Sequence, residues 1–339
     1  MISTACCTST RRKTCAYRRR RKKRRSRKPP RRRRIKTLFF GTSEFAVPAL
    51  RVTAQRTQLA GVVTQPDRPA GRGHQMQATP VKTAALELGL PVFEPLKLRE
   101  FAKQQRGNEY DLFVLASYGK ILPQELLDIP RLGSLNVHPS LLPKYRGATP
   151  IQTALLEGQD ETGVSIMLMD AGMDTGDIVL QERTPIAGIE RYGELHDRLA
   201  VFGAQALSHA LDLARSGHIP HRPQSGAPSV TKPLRKEDLV VNWNDTSQRI
   251  VNAIRAYAPA PAARAVLGGV PVKLLHARTG TASIAPVAPG EILGVSGKAV
   301  SVRCADGTVD VVQLVPPNRG AQSGASFVQT LRHAQDDRR

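Results

Sequence analysis

Ser134-Leu-Asn-Val-His-Pro-Ser-Leu-Leu-Pro-Lys-Tyr-Arg-Gly-Ala-Thr-Pro150 begins as a strand and ends as a loop. Alternate side chains of an extended segment share a face, so Asn136 and His138 project to one side, and Pro139 and Pro143 stop the strand beyond them. An amide and an imidazole therefore meet at the C-terminal end of a strand. Open α/β sheets bind ligands at that edge, which makes the pair a candidate active site. A histidine is also commonly a surface or satisfied core residue, and spacing alone does not separate the two readings.

The segments around this strand supply a sheet for it. Lys36-Thr-Leu-Phe-Phe-Gly41 reads as a buried first strand followed by a helix over Glu44–Ala54, and Gln58–Thr64 and Asp111–Ala116 read as further strands. Thr79–Gly89 is helical, with Val81, Ala84, Ala85 and Leu88 at i, i+3, i+4 and i+7. Alternation of strands and helices predicts a Rossmann-like α/β domain with a parallel sheet. The turn Gly41-Thr-Ser-Glu44 lacks GxGxxG, so a dinucleotide is not indicated. Residues 65–77 are rich in Pro, Gly and Arg and read as an exposed, mobile loop. Gly147–Gly158 reads as a helix, and Gly163–Met169 and Asp177–Arg183 as strands around a loop with Asp174 at its tip. Tyr192–Ser216 reads as a long amphipathic helix whose His196 and His209 face solvent.

The stretch 218–235 carries Pro220, Pro223, Gly226, Pro228 and Pro233 and reads as a semi-rigid linker. His218 and His221 form HxxH, without a third ligand to make a metal site. Beyond it the pattern changes to a short helix over Asn244–Tyr257, capped by Asp245 or Thr246, and closely spaced strands. Turn signals at Gly268-Gly269, Ser296-Gly297 and Asp306-Gly307 suggest a small β-barrel.

A chain of 339 residues is long enough for two domains with cores of their own. No run of 18 apolar residues is present, so no helical membrane span is expected. Cys6, Cys7, Cys15 and Cys304 form neither CxxC nor a Cys/His cluster, which suits a reducing compartment and argues against a disulfide framework or zinc site. The net charge of +22 is concentrated at the start: residues 1–34 hold 17 Lys/Arg and no acid, and the remainder carries 33 basic against 28 acidic residues. From Lys236 onward 12 basic residues face 8 acidic ones, a mild excess. The Arg-dense segment cannot bury enough apolar surface to offset ordering entropy, and is expected to be disordered.

The run Asn136–Gly147, followed by Asp170-Ala-Gly-Met-Asp-Thr-Gly-Asp177, resembles the folate-dependent formyltransferases. Phe40–Phe45, Thr64–Gly73, Asn242-Trp243 and Ile254–Tyr257 extend the resemblance from about Ile35 to about Leu331. It implies formyl transfer from 10-formyltetrahydrofolate to initiator methionyl-tRNA by a monomer of the bacterial cytoplasm, with no metal. It further implies an OB-like C-terminal domain, a fold that often binds oligonucleotides. The division expected is a basic tail at 1–34, a catalytic domain at 35–217, a linker at 218–235, a tRNA-binding domain at 236–331 and a terminal tail at 332–339. Because the resemblance starts at Ile35, the basic tail is expected to be upstream sequence translated from a misassigned start; a phosphate-binding arm and a solvated tail without a role are the alternatives.

By the same resemblance Asn136, His138 and Asp174 are catalytic, and Ser117, Tyr118, Gly119, Ile121, Ser140, Leu141, Leu142 and Pro143 line the folate site. Arg68, Arg72, Lys144 and Arg146 are expected to meet the tRNA. Acyl transfer to an amine passes through an oxyanion, for which Asn136 and His138 supply N–H donors, while a carboxylate beside the imidazole orients it and assists proton movement. Asp170 and Asp177 read as structural neighbours of Asp174. Ser140 has no evident activating base, so direct transfer is simpler than an acyl-enzyme. Two other functions fit parts of the pattern. One is formylation of a small amine, which leaves the appended C-terminal domain unexplained; the other is RNA binding with a vestigial site, which leaves the intact Asn/His/Asp set unexplained. The chain departs from the family at Ala260, where an aromatic residue is common, and in its short C-terminus.

Overall fold

The computed structural model describes residues 34–70, 75–281 and 286–336. Of the expected basic tail at 1–34 only Arg34 is described; its other residues, Arg72 and the last three residues of the expected tail at 332–339 lie outside the described residues.

Along the chain, β1 (Lys36–Gly41), α1 (Val47–Arg56), β2 (Gln58–Val63), β3 (Arg68–Ala70), β4 (Gln75–Gln77), α2 (Pro80–Glu87), β5 (Val92–Phe93), α3 (Leu98–Gln105) and β6 (Leu112–Ala116) open the fold. There follow α4 (Gln124–Leu127), β7 (Ser134–His138), β8 (Arg146–Gly147), α5 (Pro150–Leu156), β9 (Glu161–Leu168), β10 (Ile178–Pro185) and α6 (Tyr192–Ala214). Seven strands make the main sheet in the order β10-β9-β7-β6-β1-β2-β5. The five from β5 to β7 pair in parallel, whereas β9 and β10 are antiparallel, so the sheet is mixed rather than wholly parallel. The two return strands are joined by the short loop that carries Asp174, and a connection that short turns a chain back on itself rather than crossing over.

The two-residue period of β1 divides the interior. Phe39 enters one hydrophobic cluster with Val62, Val114, Leu135 and Val137, while Leu38 and Phe40 enter another with Val63, Phe113 and Leu115. Leu135 and Val137 of β7 face the first cluster, which leaves Asn136 and His138 on the opposite face, beside Leu115 of the paired strand β6.

Two segments differ from their sequence readings. Within the expected loop 65–77, β3 and β4 pair antiparallel, with Arg68 opposite Gln77 and Pro69 opposite Met76. The stretch 218–235 contains β11 (Val230–Thr231), which pairs in parallel with β8. It therefore runs along the N-terminal half, hydrogen-bonded to it, rather than spanning a gap.

Beyond it lie α7 (Ser247–Tyr257), β12 (Ala263–Leu267), β13 (Val270–Thr279), β14 (Ile292–Ser296), β15 (Ala299–Cys304), β16 (Gly307–Val315), β17 (Gln322–Ser323) and α8 (Gly324–Asp336). The strands form an antiparallel sheet in the order β12-β13-β16-β15-β14, with β17 on β16. Thr246 caps α7 by accepting from the Arg249 N–H. That helix packs on α5, and its buried Arg255 donates to the carbonyls of Glu190 at 2.9 Å and Ala187 at 3.2 Å. The core is continuous across the two halves: Ile151 and Leu155 belong to the same cluster as Ile250, Ile254 and Leu274. Ala260 is exposed.

Arg255→Met keeps much of the buried volume but removes the donors to two carbonyls. It is expected to lower the unfolding free energy by about 2–3 kcal/mol, read from urea denaturation; an unchanged midpoint would show that the clamp is dispensable.

Candidate functional site

A cleft of about 540 Å³ opens at the C-terminal edge of β6 and β7. Asn136, His138 and Asp174 all line it, and they are close enough to interact. The Asn136 amide donates to Asp174 Oδ1 at 3.4 Å. Asp174 Oδ2 accepts the Gly147 backbone N–H at 2.8 Å and lies 3.6 Å from His138 Nδ1. The imidazole is 4% exposed and the carboxylate 15%, so water does little to screen them from one another.

The other ring nitrogen settles how His138 is protonated. Its Nε2 lies 2.9 Å from the carbonyl oxygen of Tyr145, an acceptor only, so Nε2 carries the hydrogen. In the neutral ring Nδ1 is therefore a lone pair. The ring N–H is thus directed to the Tyr145 carbonyl, and Nδ1 faces Asp174. Of the two amide N–H groups of Asn136, one faces Asp174, and the other is the donor available to an oxyanion.

Backbone strain is concentrated here. Ser117, Tyr145 and Asp174 have φ of 43°, 60° and 53°, in the left-handed region that side-chain-bearing residues seldom adopt. The Asp174 loop is built by its neighbours: Asp170 accepts from the Gly172 N–H and the Thr175 hydroxyl, and Asp177 pairs with His221 at 2.8 Å. The second histidine of HxxH is thereby engaged. Among the described residues no group of three or more His, Cys, Asp or Glu is placed to hold a metal ion, and no helix is long and apolar enough to cross a membrane.

Ser117, Tyr118, Gly119 and Ile121 line the cleft. Ser43 donates to the Ser117 hydroxyl at 2.7 Å, and the Tyr118 carbonyl accepts from Thr42 and Gln65. The Tyr118 ring packs edge-on against Phe40, and its buried hydroxyl has no hydrogen-bond partner among the described residues; desolvation pushes it up to about 12. Ser140, Leu141, Leu142 and Pro143 are not brought to the cleft. Ser165 ties this loop to the sheet, donating to the Ser140 carbonyl at 2.7 Å and accepting from the Leu142 N–H at 3.1 Å, while Leu142 packs on Met167 and Ile178.

Among the cations, Arg68 is exposed on β3 of the β3–β4 hairpin pair and donates to Gln65 at 2.7 Å. Lys82 anchors the base of that hairpin through Asp67 and also bonds Glu94, each at 2.8 Å. Lys144 is exposed. Arg146 is instead tied to Gln224 at 2.7 and 3.1 Å.

Sequence reasoning missed Phe45, Tyr192 and His196. The His196 ring lies 5.5 Å from each of the other two, and all three line the cleft. Its side chain is 18% exposed rather than on the open surface. The signal was present, since Tyr192 and His196 stand four apart on one face of α6.

With this geometry in hand, comparison with known proteins is specific. A family profile described as formyl transferase matches residues 33–211, and one described as formyl transferase, C-terminal domain, matches 233–332. Methionyl-tRNA formyltransferase of Syntrophus aciditrophicus is 42% identical over 300 residues, covering 87% of this chain and 96% of its own. That of Xylella fastidiosa is 41% identical over 305 residues, covering 89% and 99%. The chain belongs to the methionyl-tRNA formyltransferase family. Among solved structures, the family fold recurs in WlaRD, a sugar 3N-formyl transferase, with a TM-score of 0.62 at 20% identity over 84% of this chain and 99% of that one. HypX from Aquifex aeolicus, solved with tetrahydrofolic acid, gives 0.61 at 16% identity over 88% of this chain, which spans about half (47%) of HypX.

Tyr118→Phe removes an unpaired buried hydroxyl and is expected to leave the melting temperature unchanged or slightly raised. A marked fall would show that the hydroxyl has a partner in solution.

Proposed function

We propose that the chain transfers the formyl group of 10-formyltetrahydrofolate to the α-amine of initiator methionyl-tRNA, by direct attack through a tetrahedral intermediate. The observation that carries this reading is the convergence of Asn136, His138 and Asp174 on one another inside a cleft. The folate is a co-substrate, and the cleft suits it. Leu115, Leu122, Val137 and Met169 offer apolar surface to a flat heterocycle, the volume is in the range of small-molecule sites, and the turn at Ser117 and Gly119 brings backbone to the wall.

The attacking amine has an ordinary pKa of about 7.7–8.0, lowered by the adjacent ester, so much of it is neutral at physiological pH. Its nitrogen forms a bond to the formyl carbon and the carbonyl electrons move to oxygen. The free N–H of Asn136 meets that oxyanion. His138 Nδ1 takes the proton released by the amine, and Asp174 stabilises the imidazolium. Protonated His138 then donates to the folate nitrogen as its bond to the formyl carbon breaks, which returns the ring to its starting state.

Arg68 and Arg72 on the 65–77 segment would meet the acceptor end of the tRNA, and the C-terminal sheet would hold its body through distributed contacts. Support comes from Arg68's exposure and from the hydrogen bond that ties Gln65 to the cleft wall at Tyr118. Translation initiation in the bacterial cytoplasm is the setting this substrate implies.

The test is formyl-methionine production from charged initiator tRNA and 10-formyltetrahydrofolate. Asn136→Ala, His138→Ala and Asp174→Ala are each expected to lower turnover at least about 100-fold with the fold retained. Near-wild-type turnover in any one removes that residue from the mechanism. Formylation of a small amine but not of the tRNA would replace the proposed substrate.

A further inference from the structure

We propose that Gln224 is a positioning residue for this reaction, holding the loop that presents Asp174 from a segment outside the formyltransferase sheet. The inference rests on the reading of the site given above. The Gln224 amide donates to the carbonyls of Asp174 and Gly176, both at 2.8 Å. Its oxygen accepts from Arg146 Nη2 at 2.7 Å and Nε at 3.1 Å. Both N–H donors and both lone pairs of the side chain are thus used. Asp174 stands at a φ of 53°, a conformation that persists only where the surroundings enforce it. Gly147 fixes its carboxylate and Gln224 fixes its carbonyl.

The segment around Gln224 braces the second catalytic loop in the same way. Arg222 and Ile178 exchange both backbone hydrogen bonds, at 2.8 and 2.9 Å. Ser229 accepts the Tyr145 N–H on its hydroxyl at 2.8 Å and the Arg146 N–H on its carbonyl at 2.9 Å. Val230 and Thr231 then pair with Arg146 and Gly147. Tyr145 supplies the carbonyl that sets the His138 tautomer, and Gly147 supplies the N–H that holds Asp174. Residues 222–231 therefore act as a strap across both loops, with Gln224 as its side-chain crosspiece.

This assigns Arg146 as well. The Nε–Nη2 edge of its fork is engaged by Gln224, which gives it a part inside the strap beyond that of a free cation for tRNA phosphate. An arginine fork and a lysine point charge differ in this role, since only the fork makes both bonds.

Full-length Gln224→Ala, Gln224→Glu, Arg146→Ala, Arg146→Lys and the double alanine variant are compared by steady-state formylation of methionyl-tRNA, with folate affinity and melting temperature measured alongside. Gln224→Glu preserves shape but sets oxygens against two carbonyls. Expected for Gln224→Ala is a 10- to 100-fold loss of kcat, with KM for donor and tRNA within about threefold of wild type. Gln224→Glu should be equally impaired, Arg146→Lys should resemble Arg146→Ala, and the double variant should be no worse than its poorer parent, as for residues acting through one network. Two outcomes overturn the inference. One is wild-type kcat in Gln224→Ala or Gln224→Glu. The other is a raised tRNA KM in Arg146→Ala that Arg146→Lys restores, the mark of a phosphate contact. Should Gln224→Ala fail to fold, the Arg146 pair decides, because a lysine that restores kcat excludes the fork. Failure of the wild-type chain to formylate methionyl-tRNA would instead overturn the underlying reaction.

Discussion

Gly147 donates its backbone N–H to the Asp174 carboxylate at 2.8 Å, and the rest of the site is arranged around the position this fixes. The same carboxylate faces His138 Nδ1 at 3.6 Å and Asn136 at 3.4 Å. A largely buried acceptor-only group needs donors to offset its desolvation, and the Gly147 N–H and the Asn136 amide supply them. Because His138 spends its Nε2 hydrogen on the Tyr145 carbonyl, the loop 145–147 determines both which ring nitrogen is basic and where the carboxylate sits. Two adjacent stretches of backbone therefore specify the acid–base chemistry, and the side chains follow.

That dependence gives the connecting segment more than a spacing role. Thr149 donates its hydroxyl to the Lys232 carbonyl and its N–H to Thr231 Oγ1, at 2.9 and 3.0 Å, which extends the strap to the start of α5. Helix α5 then packs on α7 of the C-terminal half. The two sequence-matched regions, 33–211 and 233–332, are thus joined physically by residues that lie between them and touch the chemistry. Folding of the N-terminal sheet alone would place Asn136 and His138 on their strand but leave both loops without the partners that hold Tyr145 and Asp174 at positive φ.

Much of this was legible in the sequence, for reasons that differ by element. The alternation in Ser134–His138 placed Asn136 and His138 on one face because strand geometry leaves no other option, and β1 showed its buried character through an unbroken apolar run. Strands β3 and β4 were read as part of a loop over 65–77 because Pro and Gly mask the short strand signal. The antiparallel return of β9 and β10 was not separable from parallel pairing, since both give the same side-chain period. Ser140–Pro143 were expected at the ligand from the resemblance alone, and the hydroxyl of Ser165, a residue 25 positions after Ser140, ties that loop to the sheet. Gln224 gave no signal: it lies among prolines and glycines without periodicity, two of its partners are backbone carbonyls that carry no residue identity, and the third, Arg146, is distant in sequence.

The protonation of His138 is the most direct measurement of this arrangement. Long-range nitrogen–proton correlation spectra of the full chain, recorded with the ring neutral and assigned with His138→Gln, report which ring nitrogen carries the hydrogen. The geometry predicts the Nε2–H form, with Nδ1 unprotonated toward Asp174. A neutral ring carrying its hydrogen on Nδ1 would contradict the proton path described here, since the nitrogen that must take the proton of the amine would already hold one.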